Sequence, residues 1–213
     1  MSNVVVYGAG GTAGSRIVSE AAGRGHRVTA AVRRPEAVTW LPAGVHVVTG
    51  DATSAQSVRA LAPEADVIVV AIGGGDRALW RDAAENLITV LRDMPNPPRA
   101  VHVGGGATLL TAKGTPFLEE PDFPDEYRDA ALGQADALAL YRSSADGVTW
   151  TYLSPPPLEF HPGERTGRYR TGTEHPVVDD QGRSVLTYED LAVAVVDEIE
   201  DPRFENMRFT AAY

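Results

Sequence analysis

Cysteine is absent from the 213-residue chain, which excludes a disulfide framework, a thiolate metal site and a thiol nucleophile. The same absence fits a reducing compartment, so the expected location is the cytoplasm. Lysine is nearly absent: Lys113 is the only one among 19 basic residues, and chemistry that needs a lysine elsewhere is closed to this chain. No run approaches the roughly 18 consecutive apolar residues of a membrane span. The sequence enters an apolar run at Val4 with no basic, cleavable leader before it, so neither export nor a membrane partner is expected. Positive charge is in deficit: 29 acidic residues against 19 basic ones give a formal net charge of -10, which repels polyanions and argues against a nucleic-acid partner. His26, His46, His102 and His175 lack the spacing of a metal site, and no metal is expected.

What is present is alternation. Apolar, β-branched runs at Val4 to Tyr7, Arg27 to Val32, Val45 to Val48, Val67 to Ile72, Ala100 to Val103, Val148 to Leu153 and Met207 to Ala211 read as strands. Helical segments separate most of them: Thr12 to Ala22, Ser54 to Leu61, Asp76 to Leu91, Pro124 to Ser144 and Glu189 to Ile199. This order predicts an α/β fold of Rossmann type, one domain over residues 1–213 with a doubly wound, mostly parallel sheet and helices on both faces. Thr187 is placed to cap the last helix, with Glu189 and Asp190 at the positive end of its dipole. Two stretches break the rhythm, Gly114 to Pro124 and Ser154 to Ser184. Both follow strands at their carboxyl ends, where open α/β sheets bind ligands, so residues near 108–124 and 154–184 are expected to form a substrate rim. Trp40, Trp80 and Trp150 read as packing residues, and His102, inside a strand, as a core hydrogen-bonder.

The segment Tyr7-Gly8-Ala9-Gly10-Gly11-Thr12-Ala13-Gly14 follows the first strand and opens the first helix. In that context its glycines predict a dinucleotide-binding turn: Gly8 for the tight bend, Gly10 and Gly11 for close approach of backbone N–H groups to a pyrophosphate, Gly14 for helix-to-strand packing, with Thr12 and Ala13 between them. The second strand ends in Arg33 and Arg34, where an NAD enzyme carries an acid for the ribose 2′-hydroxyl. Two guanidiniums there suit the 2′-phosphate of NADP(H), the expected cofactor, although a solvated basic pair would look the same. Asp51, followed by Ala52, is placed to accept from an adenine amino group or to cap the helix after it. The fourth strand ends Ala71-Ile72-Gly73-Gly74-Gly75, whose small residues let ribose and pyrophosphate lie near the backbone, or simply form a turn.

The glycine turn, Val32-Arg33-Arg34-Pro35, Gly50-Asp51-Ala52-Thr53 and Val103-Gly104-Gly105-Gly106 together resemble atypical short-chain dehydrogenase/reductases of the NAD(P)H-binding, NmrA-like kind. Tyr152-Leu153-Ser154-Pro155-Pro156-Pro157 followed by His161-Pro162-Gly163 is similar to the strand and loop that approach the nicotinamide in the biliverdin reductase B/flavin reductase group. The resemblance implies NADP binding and adds Gly104, Pro155 and Pro156 to the expected cofactor contacts. Its members include reductases of flavins, quinones and related acceptors, isomerases, and redox-sensing regulators with little turnover.

The main branch of that superfamily pairs a tyrosine with a lysine four residues later, the lysine lowering the tyrosine pKa. Here Tyr127 is followed by Ala131, Lys113 is preceded by Leu109, and the upstream serine position falls on Gly105 or Gly106. Carbonyl reduction and sugar-nucleotide epimerisation by that mechanism are disfavoured. Hydride transfer to a conjugated small molecule, a flavin or a quinone, needs less protein chemistry because the acceptor delocalises charge. Tyr127, His161 and Thr108 are the candidate proton donors, although a surface role for His161 and helix packing for Tyr127 are the plainer readings. The competing functions are an NADP(H)-sensing regulatory protein and a biosynthetic isomerase or dehydratase. Arg165 to Arg170 either lines the mouth for an anionic acceptor or is a solvated loop, and the chain is expected to be a monomer or homodimer.

Overall fold

A computed structural model describes all of Met1–Tyr213. Val4 to Tyr7 form a strand with no polar face, and the reason is its place: β1 (Asn3–Tyr7) pairs in parallel with β2 (Arg27–Val32) on one side and β4 (Val67–Val70) on the other. β3 (His46–Thr49) continues beyond β2, while β5 (Arg99–Val103), β6 (Trp150–Ser154) and β10 (Met207–Ala212) continue beyond β4. Chain order therefore reverses between β1 and β4, which opens a crevice above their carboxyl ends. All these strands are parallel; β8 (Arg170–Gly172) closes the eight-stranded sheet antiparallel to β10.

Both faces are covered, as the apolar strands require. Val4 and Val6 face α1 (Thr12–Gly23) and α5 (Tyr188–Glu200) in a core cluster of 24 buried residues. Val5 and Tyr7 alternate to the other face and join a cluster of 22 with residues of α2 (Ala55–Leu61), α3 (Arg77–Arg92) and α4 (Arg128–Ser144). The chain is thus a single Rossmann-type α/β domain. No helix is long and apolar enough to cross a membrane.

Side chains cap three helices: Ser54 accepts from Ser57 N, Asp76 from Ala78 N, and Thr187 from Asp190 N as its sequence position predicts. The fourth helix starts later than its composition suggests, at Arg128, because Pro124 holds an extended backbone and Asp125–Tyr127 forms a 3-10 turn. The fourth strand stops at Val70, before Ala71 and Ile72. The rim at 154–184 is not irregular throughout: β7 (Glu159–His161) pairs with β9 (Val185–Thr187) in a separate two-stranded sheet, and β8 joins the main one. These strands are three residues each, too short to show a period.

Candidate functional site

The turn after β1 is shaped by contacts that leave no room for side chains. Gly8 has φ +79°, and a Cβ on it would stand 2.3 Å from Ala71 O. A Cβ on Gly14 would stand 2.1 Å from Gly8 O, so α1 presses directly on the turn. Gly11, the residue before α1, offers no side-chain cap to the helix's first N–H groups. Those donors and the dipole they terminate make an anion-binding end of a 12-residue helix. Ala13 turns inward against the core, and Gly14 is buried, so both support the turn without lining it.

A cleft of about 490 Å³ opens over this turn. Gly8, Gly10, Gly11 and Thr12 line it after β1, Arg33 and Arg34 after β2, Asp51 and Ala52 after β3 beside them, and Ala71, Ile72 and Gly73 after β4 on the other side of β1. Neither arginine takes part in an ion pair, although most arginines of the chain do. Asp51 is not the helix cap, a role Ser54 fills. One of its oxygens, Oδ1, accepts from Thr53 N at 2.9 Å and Thr53 Oγ1 at 2.8 Å, which leaves Oδ2 without a partner in the fold. Sequence reasoning missed Tyr7, at the end of β1, Val38 and Trp40, in the loop after β2, and Leu79, in the first turn of α3, because strand and helix patterns do not say which of them reach the cleft.

Gly104, Pro155 and Pro156 lie outside this cleft and are buried. Gly104 is a packing glycine: the Tyr152 ring fills its Cβ position at 2.1 Å. Gly106 brings the loop after β5 onto the loop after β6, its Cβ position only 2.5 Å from Pro155 O. The two rim segments are stitched together above it. Leu110 N donates to Glu174 O at 2.8 Å, and the buried Arg208 of β10 donates to Thr108 O at 2.7 Å and to a Glu174 carboxylate oxygen. Burial lowers the Arg208 pKa against the opposing pull of Glu174. A lone arginine in the apolar run MRFTAA was the signal for this buried partner network.

The three candidate donors are not brought into contact with one another. Thr108 is a brace: its hydroxyl donates to Gly105 O at 2.9 Å and accepts from Arg208, so it has no proton free to give. Tyr127 is 59 % exposed in the turn before α4, which also rules out a helix-packing role. His161, exposed on β7, donates from Nδ1 to Pro162 O at 3.0 Å; a neutral ring so bonded presents Nε2 as an acceptor. His102 is buried between Tyr141 and Tyr152 and pushed down to about 3 by burial, a neutral core residue as read from sequence. Arg165 is committed to Glu20 at 2.7 Å, and Arg170 to the backbone of Val178. Lys113 Nζ sits 3.4 Å from Glu120 in the first rim segment.

A family profile described as NAD(P)H-binding matches residues 8–202. A solved structure of a proposed exported protein from Burkholderia pseudomallei is 39 % identical, superposes with a TM-score of 0.87 and covers all of both chains. A proposed epimerase from Bacteroides thetaiotaomicron is 29 % identical with a TM-score of 0.88, over 99 % of this chain and 96 % of that one. A proposed NADH-flavin reductase from Streptococcus pneumoniae is 29 % identical with a TM-score of 0.85, over 100 % of this chain and 99 % of that one. The glycine turn that lines the cleft falls within the matched span, and the chain belongs to the NAD(P)H-binding family.

Proposed function

We propose that this protein is an NADPH-dependent oxidoreductase that reduces a conjugated small molecule, a flavin, quinone or related acceptor, without a dedicated protein acid. The observation that carries the cofactor half is the uncapped helix end above Gly8–Gly14 flanked by two unpaired guanidiniums. Glycines whose Cβ positions are filled by backbone fit a pyrophosphate cradle, and Arg33 and Arg34 fit a 2′-phosphate by bidentate, charge-assisted bonds. Asp51 Oδ2 suits the adenine amino group. Bound there, a reduced nicotinamide supplies the hydride. The chain's own part at the other end is positioning, with Pro155 and Pro156 held against Gly106.

The acceptor half supports a substrate that stabilises its own charge, since Thr108 is engaged, His161 is an acceptor when neutral, and Tyr127 stands in solvent. The same arrangement favours one alternative, a cofactor-sensing protein with little turnover. Oxidation of NADPH by a panel of flavins, quinones and conjugated ketones, followed by loss of its absorbance, separates the two. Turnover with at least one acceptor is expected; tight cofactor binding with no turnover across the panel would favour the sensor. The cytoplasm remains our proposed compartment, tested by fractionation.

A further inference from the structure

Three tryptophans sit in different settings. Trp80, between α3 and α4, and Trp150, in the core, are each 5 % exposed, whereas Trp40 is 60 % exposed and lines the cleft. A single exposed apolar side chain is ordinary on a protein surface, so exposure alone carries nothing. What distinguishes Trp40 is how it is held. The backbone before it is fixed by a 3-10 turn over Pro35–Ala37, closed by Val38 N donating to Pro35 O at 3.1 Å. Val38 and Leu41, on either side, pack against the core beneath α1 and α5. Val38 Cγ2 also lies 3.1 Å from the Cβ position of Gly10, so this segment is packed onto the glycine turn itself. The loop is docked, both flanking apolar side chains are turned in, and the indole between them is turned out into the cleft beside Arg33 and Arg34.

We propose that Trp40 is an aromatic wall of the adenosine end of this cleft, lying against the purine of an adenosine 2′-phosphate whose phosphate is held by Arg33 and Arg34. The proposal rests on the NADPH reading above. An indole on an anchored backbone offers a planar face with little freedom to lose on binding, and purine–aromatic contact tolerates the absence of any directional bond. The contribution is sequence-local to this chain: the arginine pair supplies charge, and the indole supplies the apolar surface that charge cannot.

The test is calorimetry on the full chain with adenosine 2′,5′-bisphosphate, NADPH and inorganic pyrophosphate as ligands, using the unmodified protein, Trp40→Ala and Trp40→Phe. Trp40→Ala should raise Kd for both adenosine ligands about five- to tenfold, with Trp40→Phe within about twofold of the parent and the unliganded Tm of both variants unchanged. Binding by the parent with no more than about a twofold change in Trp40→Ala would overturn the role of Trp40 and leave the cofactor reading intact. An equal loss for pyrophosphate, which has no purine, would show a disturbed glycine turn and also overturn it. If the parent binds neither adenosine ligand, the cofactor reading fails and this proposal goes with it.

Discussion

At the β1–β4 end of the sheet's carboxyl edge, α1 has no side-chain cap, Arg33 and Arg34 have no counter-ion, and Trp40 stands in solvent. At the β6–β10 end of the same edge, Arg208 bonds to both Thr108 and Glu174, and Ser154 Oγ lies 3.4 Å from Thr108 Oγ1. Helix-end N–H groups and guanidiniums with no partner in the fold are free to bond an anion, whereas groups already bonded to one another are not. One end offers donors and charge; the other offers shape. That difference is why the cofactor can be argued from single residues here and the acceptor cannot.

The comparison breaks first at the glycines. Gly14→Val puts atoms where Gly8 O already stands, 2.1 Å from the Cβ position, and should cost more than about 4 kcal/mol in denaturant unfolding. Native-like stability in that variant would mean the turn is not built as described. Gly11→Val is different, because Gly11 has φ -83° and its Cβ position is 3.2 Å from Gly8 O. It should fold and lose about 100-fold or more in NADPH affinity by covering the free N–H groups. Retained affinity in the folded variant would remove phosphate from the turn.

Arg33→Ala sharpens the contrast in charge: the preference for NADPH over NADH should fall about tenfold or more, since a charge-assisted bond contributes about 1.5–3 kcal/mol. Equal affinities for the two cofactors in the unmodified protein would defeat the idea before the variant is made. The rim should respond to acid instead. Asp190 is buried, which alone would raise its pKa, but hydrogen bonds from Thr166, Tyr213 and Gly167 outweigh burial and hold it low. Glu20 is held low chiefly by its bond to Arg165. A carboxyl with a depressed folded-state pKa stabilises the fold above its unfolded value, about 4, and loses that contribution as pH falls through the folded value. Unfolding free energy should therefore drop on acidification below about pH 4, and Asp190→Asn should flatten the drop while costing about 2 kcal/mol at neutral pH. An unchanged pH profile in Asp190→Asn would show that the rim is not tied down there.

The smallest effects belong to the donors. Tyr127→Phe and His161→Ala should each lower kcat by less than about 100-fold in single-turnover reduction of the best acceptor. A 1,000-fold loss at either, on the order expected of a positioned acid, would point to carbonyl reduction or isomerisation.

The cofactor end was legible because its signals are local: a glycine spacing between strand and helix, an arginine pair at a strand end, a small-residue run after Val70. The core was legible for the same reason, each central strand being apolar on both faces. The rim was not. β7, β8 and β9 take their strand character from partners far along the chain, and Thr108 looked like a free hydroxyl because Arg208, its partner, lies 100 positions away. Trp40 was misread for a subtler reason, since aromatic residues usually pack and only the docking of Val38 and Leu41 turns this one outward.

β10 lies between β6 and β8, so the latest strand in chain order is an interior strand of the sheet. During synthesis, at about 5–20 residues per second, the growing chain exposes the open edge of β6 until Met207–Ala212 emerge. An unpaired strand edge is a template for association with other chains. β8 has no neighbour in the sheet before that moment either. Arg208 of β10 also ties Thr108 to Glu174, so the rim depends on the same strand, whereas the glycine turn is built by β1, α1 and the residues after β4. β10 therefore closes the edge of β6, seats β8 and anchors the rim at once.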